Sequence, residues 1–272
     1  MKQLTYGENT KMNNFVISLR DNNEKRRAHI TEQFSSKDVP FEFFDAITKT
    51  QLHVADDLGI TFGESKLTDN EKGCLLSHVS IWKKVIDENL PYAGVFEDDI
   101  YLSKESGSFL SNYDWVDTNW HVVKIERADE KVKTSLLNLK SLNNKGIIYK
   151  LKDEHLCAGG YVITKAGARY LFDKIKNYDI TEPIDYEIFD NYIMDSGYIV
   201  CQFIPALCIQ DFTLNKSYEN LSSSLVEGRV IKEKPVKEKH KNKLLRELLR
   251  IWNTMTDAIV KKQKQRKLPF NL

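Results

Sequence analysis

The chain has no long apolar run. None of its hydrophobic stretches approaches the roughly 18 residues of a membrane span, so a helical transmembrane protein is excluded. The opening residues, Met1 to Asn13, are polar and without period, lack a secretory signal pattern, and read as a frayed start. Cysteine is scarce too. Cys74, Cys157, Cys201 and Cys208 form no CxxC pair and show no zinc spacing, which predicts reduced, mostly buried thiols in a cytoplasmic protein. Glycine-rich phosphate loops are also missing: the turn after the first strand holds neither G-x-G-x-x-G nor the Walker pattern. Any phosphate bound here needs another neutralising group.

What is present suffices for a core. Of 272 residues, 41% are hydrophobic and 29% charged, which suits one large domain or one domain with an appendage. The net charge of +1 hides a division. Residues 231–272 carry 13 Lys and Arg against 4 Asp and Glu, leaving −8 on residues 1–230. An acidic body and a basic tail imply two different jobs. We therefore divide the chain into a body, 1–230, and a tail, 231–272.

The stretch that organises the body is Pro91-Tyr-Ala-Gly-Val-Phe-Glu-Asp-Asp-Ile100. Tyr92 to Phe96 reads as a buried strand that empties into Glu97, Asp98 and Asp99. Three carboxylates crowded there repel one another unless a cation joins them, and hard oxygen ligands suit Mg²⁺ or Mn²⁺. Taken alone, the triplet is equally a solvated acidic turn.

The rest of the body reads as alternating strands and helices. Phe15–Leu19, a helix Glu24–Phe34 and Phe41–Phe44 make a β-α-β opening and imply a parallel sheet. A weak helix is predicted over Gln51–Leu58. Thr68 and Glu71 form a capping box, followed by Leu75, Val79, Trp82 and Ile86 at helical spacing. His78 lies one residue off that face, where a satisfied helix histidine is the ordinary reading. His121–Glu126 predicts a strand with Lys124 and Glu126 on one face, either a salt bridge or a grip on sugar hydroxyls. Residues 127–146 read as a polar surface excursion, and Ile147–Leu151 as a short strand. Gly159-Gly160 opens another strand and permits close approach of a ligand or of another chain segment. Thr164 caps a helix over Lys165–Lys176. Asp185 falls in the first turn of a helix begun by Pro183, as a cap or as a general base. Tyr198–Ile204 is a late strand, and Gln210–Ser224 a candidate mobile flap. In the tail, Leu244, Leu245, Leu248, Leu249, Trp252, Met255 and Ile259 share one helical side among Lys and Arg. That pattern fits an interfacial helix on anionic lipid or a helix packed on its own domain. Few aromatics there could stack bases, so nucleic acid is not expected as a partner.

Taken in order, Phe15–Leu19, Arg26-Arg27, Phe44-Asp45-Ala46, Glu71-Lys-Gly-Cys74, Leu76-Ser-His78, Trp82, Glu97-Asp-Asp99, Gly160-Tyr161 and Pro183-Ile-Asp185 resemble glycosyltransferase family 25. The resemblance covers roughly residues 14–225, and the basic tail also looks like that of bacterial members. It implies a glycosyltransferase A-type, Rossmann-like α/β fold: a mixed sheet flanked by helices, here with a basic amphipathic helical tail. It also implies inverting transfer of galactose or glucose from a UDP-sugar to a lipid-linked lipooligosaccharide or lipopolysaccharide core, with Mn²⁺ or Mg²⁺. By motif, Asp99 and Glu97 are the implied metal ligands, with His155 as a third candidate. Arg27, Asp45, Ser77, His78, Glu97 and Asp98 are implied on the donor side, with Lys124, Glu126 and Gly160 beside the sugar, and Asp185 as base. Glu97 departs from a strict DxD pattern. The enzyme is expected in the cytoplasm, held to the inner-membrane face by its tail. The alternative is a non-catalytic nucleotide-sugar or core-oligosaccharide binding module.

Overall fold

The structure, a computed structural model, describes residues 13–143, 145–217, 221 and 263–272. The first part runs β1 (Asn14–Ser18), α1 (Glu24–Ser35), β2 (Glu42–Asp45), a 3₁₀ turn (Lys49–Gln51), α2 (Val54–Leu58) and α3 (Asp69–Asp87). Next come β3 (Tyr92–Glu97), β4 (Ile100–Leu102), α4 (Gly107–Leu110), β5 (Val122–Lys124), β6 (Lys131–Leu142) and β7 (Gly146–Leu151). The last part holds β8 (Gly160–Thr164), α5 (Lys165–Ile175), α6 (Ile184–Phe189), β9 (Val200–Ile204), β10 (Cys208–Gln210), α7 (Asp211–Asn215) and β11 (Gln263–Lys267).

Nine strands form one sheet in the order β11-β6-β7-β9-β5-β8-β3-β1-β2, and β4 pairs with β10 in a second. The mixed α/β sheet is as expected, but it is not wholly parallel. Only β1–β2, β1–β3 and β5–β9 run parallel; β8 enters antiparallel between β3 and β5. The β-α-β opening is therefore parallel, and the rest is not.

Both faces of the sheet are covered, which is why its central strands are apolar throughout. Phe15 and Ile17 face a cluster with Leu75, Val79 and Trp82 of α3, Leu171 of α5 and Ile188 of α6. Val16, between them, faces the other cluster with Ile30 and Phe34 of α1, Phe109 of α4, and Trp115 and Trp120. The period of two in a strand explains this split. Helix α3 starts where expected: the Thr68 hydroxyl accepts from the Glu71 N–H, and the Glu71 carboxylate accepts from the Thr68 N–H.

Two expectations need correction. Residues 127–146 are not a surface excursion, because β6 occupies most of them. Its pairing with β7 shifts register between Thr134 and Asn138 and again before Lys140, which breaks the alternation that marks a strand. The tail does not stand wholly apart either. Residues Gln263–Lys267 pair antiparallel with β6, Leu268 is buried, and Pro269 accepts a hydrogen bond from the Ala206 N–H. The basic run Lys232–Lys243 and the amphipathic pattern of Leu244–Lys262 lie outside the described residues. No described helix is long and apolar enough to cross a membrane.

Candidate active site

The triplet sits where β3 leaves the sheet, and its three carboxylates have three different surroundings. Asp98 is bound on both oxygens, by the Arg26 guanidinium and by the Asn23 amide at 2.7 Å, both from the start of α1. It anchors that helix to the strand end and has no oxygen left for a donor, contrary to the sequence expectation. Arg26 also lies 3.8 Å from Asp99 and donates to the Leu221 carbonyl at 3.2 Å.

Asp99 is less well compensated. Its Oδ1 takes the Gln210 amide at 3.3 Å, while the same amide donates to Glu97 at 2.7 Å. Burial first, and then the charge of Glu97, pushes the Asp99 carboxyl up to about 7; Asp98 adds to the rise, and Arg26 and Gln210 oppose it. The pocket thus holds more negative charge than its one guanidinium balances.

Glu97 connects the triplet to α3. Its other oxygen, Oε1, lies 3.7 Å from His78 Nε2 and accepts from the Cys74 thiol at 3.8 Å. Cys74 and His78 are four residues apart on α3, so they share one face of that helix. Behind His78, Tyr161 Oη lies 2.9 Å from Nδ1 and accepts from the Trp82 indole N–H at 2.9 Å. Burial drives the His78 pKa down to about 3 against the pull of Asp185, so its ring is neutral at physiological pH.

The segment from Cys157 to Gly159 threads between the remaining acids. The Cys157 N–H donates to Asp185 Oδ2 at 3.0 Å, the Gly159 N–H to Glu126 Oε2 at 3.0 Å, and the Gly159 carbonyl accepts from the Glu97 N–H at 3.1 Å. Glu97, Glu126 and Asp185 all raise the Cys157 thiol pKa, although burial is the larger cause. Asp185 stands one residue into α6, as its motif predicts. Glu126 is fully buried, its pKa raised by burial, and its Oε1 has no hydrogen-bond partner.

Other expected residues are placed differently. Lys124 is fully buried and its ammonium is taken by Glu126 Oε2 and by the Leu156 and Cys157 carbonyls, above the Phe189 ring. It is a clamp on the 156–157 segment; three acceptors use its three protons, and none remains for a sugar hydroxyl. Ser77 is fully buried; it accepts from the Ile47 N–H at 2.8 Å and donates to the Gly73 carbonyl at 2.7 Å. It ties the exit of β2 to α3 and does not face a donor. Gly160 is required by packing, since a Cβ there would lie 2.2 Å from Cys208 Sγ. Of its two readings, close approach of another segment is the one observed. His155 is closed as a metal ligand: Nε2 accepts from the Asp129 N–H at 3.3 Å, so Nδ1 donates to Gln202 at 3.0 Å.

Arg27 and Asp45 do meet. The guanidinium lies 2.6 Å from the Asp45 carboxylate and donates to the Leu19 carbonyl, on the open side of β1 and β2. Arg26 and Gln210 are the polar partners that sequence reasoning left out of the site. Arg26 is visible as the neighbour of Arg27 in the helix that follows β1; Gln210 carries no local signal.

The chain matches the model of glycosyltransferase family 25 (LPS biosynthesis protein) over residues 11–188. It is 31% identical to the lipooligosaccharide biosynthesis protein lex-1 of Haemophilus influenzae, over 92% of each chain. It is 32% identical to the lacto-N-neotetraose biosynthesis glycosyltransferase LgtB of Neisseria gonorrhoeae, over 79% of this chain and 81% of that one. It is also 32% identical to the lipooligosaccharide biosynthesis protein lic2B of Haemophilus influenzae, over 78% of this chain and 81% of that one. The match spans every acid of the cluster, from Glu97 to Asp185.

Proposed function

The chain belongs to glycosyltransferase family 25, and we propose that it moves a hexose, galactose or glucose, from a UDP-sugar to a lipooligosaccharide or lipopolysaccharide core acceptor. The observation that carries this reading is the convergence of Glu97, Glu126 and Asp185 on one segment, Cys157 to Gly159, beside Asp99. A glycosyltransferase A-type arrangement with inversion is the matching mechanism. Asp185 takes the proton from an acceptor hydroxyl, whose oxygen attacks the anomeric carbon. UDP leaves from the opposite face with the bonding electron pair, as positive charge develops on the sugar.

A divalent cation fits the oxygen set of Asp99 and Glu97, because the raised Asp99 pKa reports uncompensated negative charge there. Mn²⁺ or Mg²⁺ on those two residues would neutralise the leaving diphosphate. Arg27 and Asp45 border the nucleotide side, while Glu126 Oε1, buried and unpartnered, is suited to a sugar hydroxyl. Lys124 serves indirectly, by fixing the segment on which Asp185 and Glu126 converge.

The test is Asp185→Asn. Turnover of a UDP-hexose with a core acceptor should fall by about 10²–10⁴, with UDP affinity unchanged. Near-normal turnover would move the base elsewhere. A wild-type chain that binds UDP yet releases none from any UDP-hexose would favour the non-catalytic binding module.

A further inference from the structure

Beside the donor-side carboxylates lies a second donor set of a different chemical kind. Cys74 Sγ, His78 Nε2 and a Glu97 carboxylate oxygen all lie within 4.8 Å of one another. One soft sulfur, one imidazole and one carboxylate make the mixed set that zinc takes. We propose that Cys74, His78 and Glu97 form a zinc-type site, distinct from the hard-oxygen site at Asp99, with an open fourth position.

The distances suit it. Zinc bonds of about 2.3 Å to sulfur and about 2.0–2.2 Å to nitrogen and oxygen give tetrahedral edges of roughly 3.3–3.6 Å. His78 Nε2 stands 3.7 Å and Cys74 Sγ 3.8 Å from the same Glu97 oxygen, so small side-chain shifts close the set around one ion. A second observation points the same way. His78 is fully buried, and its Nε2, aimed into this cluster, has no hydrogen-bond partner among the described residues. A buried ring nitrogen left without a partner costs about 1–3 kcal/mol, and a metal bond removes that cost.

The far side of the ring is built for ligation as well. With Nε2 on the metal, Nδ1–H donates to Tyr161 Oη, which the Trp82 indole N–H already orients. Such an outer partner fixes the tautomer and direction of a metal-bound histidine. On binding, the Cys74 thiol releases its proton to solvent. Glu97 Oε2 stays on Gln210, so one carboxylate joins the zinc site to Asp99, and zinc bound here would change the donor side.

The experiment is equilibrium zinc titration of the full chain, with Co²⁺ as the spectroscopic probe of a thiolate ligand. Wild type should take one Zn²⁺ and show cobalt–thiolate charge transfer. Cys74→Ser should abolish that band and weaken zinc by more than the 10–100-fold that losing an outer partner costs, while Tyr161→Phe falls within that range. Asp99→Asn should leave zinc affinity within a few-fold. Zinc lost in Asp99→Asn but retained in Cys74→Ser would overturn the proposal, assigning the ion to the oxygen site. No bound zinc in wild type would also overturn it. His78 would then be locked as the Nε2–H tautomer, a hydrogen-bond donor to Glu97. None of these readouts depends on turnover, so failure here leaves the Asp185→Asn test intact.

Discussion

Replacing Asp99 by Asn should stabilise the metal-free chain, and by an amount that depends on pH. In the folded chain burial and the charge of Glu97 hold this carboxyl near 7. In the unfolded chain it titrates near the ordinary value of about 3.9. Below pH 4 the group is protonated in both states and contributes nothing. Between pH 4 and 7 the unfolded chain ionises it while the folded chain keeps its proton. Stability from this group therefore falls as pH rises, by about 1.4 kcal/mol per unit, and above pH 7 the full penalty is on the order of 4 kcal/mol. Asn keeps an oxygen for Gln210 and Arg26 and never ionises.

The assay is urea unfolding of wild type and Asp99→Asn at pH 5, 6, 7 and 8 in chelator. Other groups titrate in the same window, but they cancel in the difference between the two proteins. The advantage of the variant should grow from about 1 kcal/mol at pH 5 to several at pH 8. Mn²⁺ at pH 8 should close the gap by stabilising wild type alone, through mass action on the folded state. A difference that stays flat from pH 5 to 8 would refute the reasoning, because Asp99 would then be an ordinary solvated carboxylate. A difference that grows, with no response to Mn²⁺, would keep the electrostatics and remove the metal.

Two further predictions concern parts outside the catalytic step. Lys124→Met removes the cation from a fully buried pair and strands Glu126, which should cost about 3–5 kcal/mol at pH 8 and less at pH 5, where Glu126 regains a proton; unfolding curves showing under 1 kcal/mol at both would show that the clamp is idle. Replacing the Lys and Arg of residues 232–262 by Gln, with β11 kept intact, should abolish co-sedimentation with anionic vesicles. Unchanged pelleting would assign any membrane contact to the body.

The fold was legible wherever periodicity and burial agreed. Strand β1, helix α3 and strand β3 are apolar at the right period and are bounded by caps or charge, and each appears at its expected place. Strand β6 was missed although Lys131-Val-Lys-Thr134 alternates, because Leu136, Leu137 and Leu139 then stand exposed across the bulges. Pairing rather than side-chain pattern makes that stretch a strand. The direction of β8 was equally out of reach. Whether a strand enters parallel or antiparallel is settled by which neighbours accept it, and its own five residues are buried on both faces.

The site divides along a different line. Residue type at the end of β3 marked the triplet as chemistry, but not which acid was free. Asp98 is consumed by Asn23 and Arg26, more than seventy residues upstream, and Asp99 is left exposed to its neighbours' charge. The two candidate metal histidines differ for the same reason. His155 and His78 are both buried and both neutral, with pKa values near 3. His155 spends one nitrogen on Gln202 and the other on a backbone N–H, so it is a structural strut. His78 spends one on Tyr161 and leaves the other facing Cys74 and Glu97. No window of sequence distinguishes the two. What does is a count of partners around each ring, and the Cys74–His78 spacing on one helix face was the only local sign of where the count would come up short.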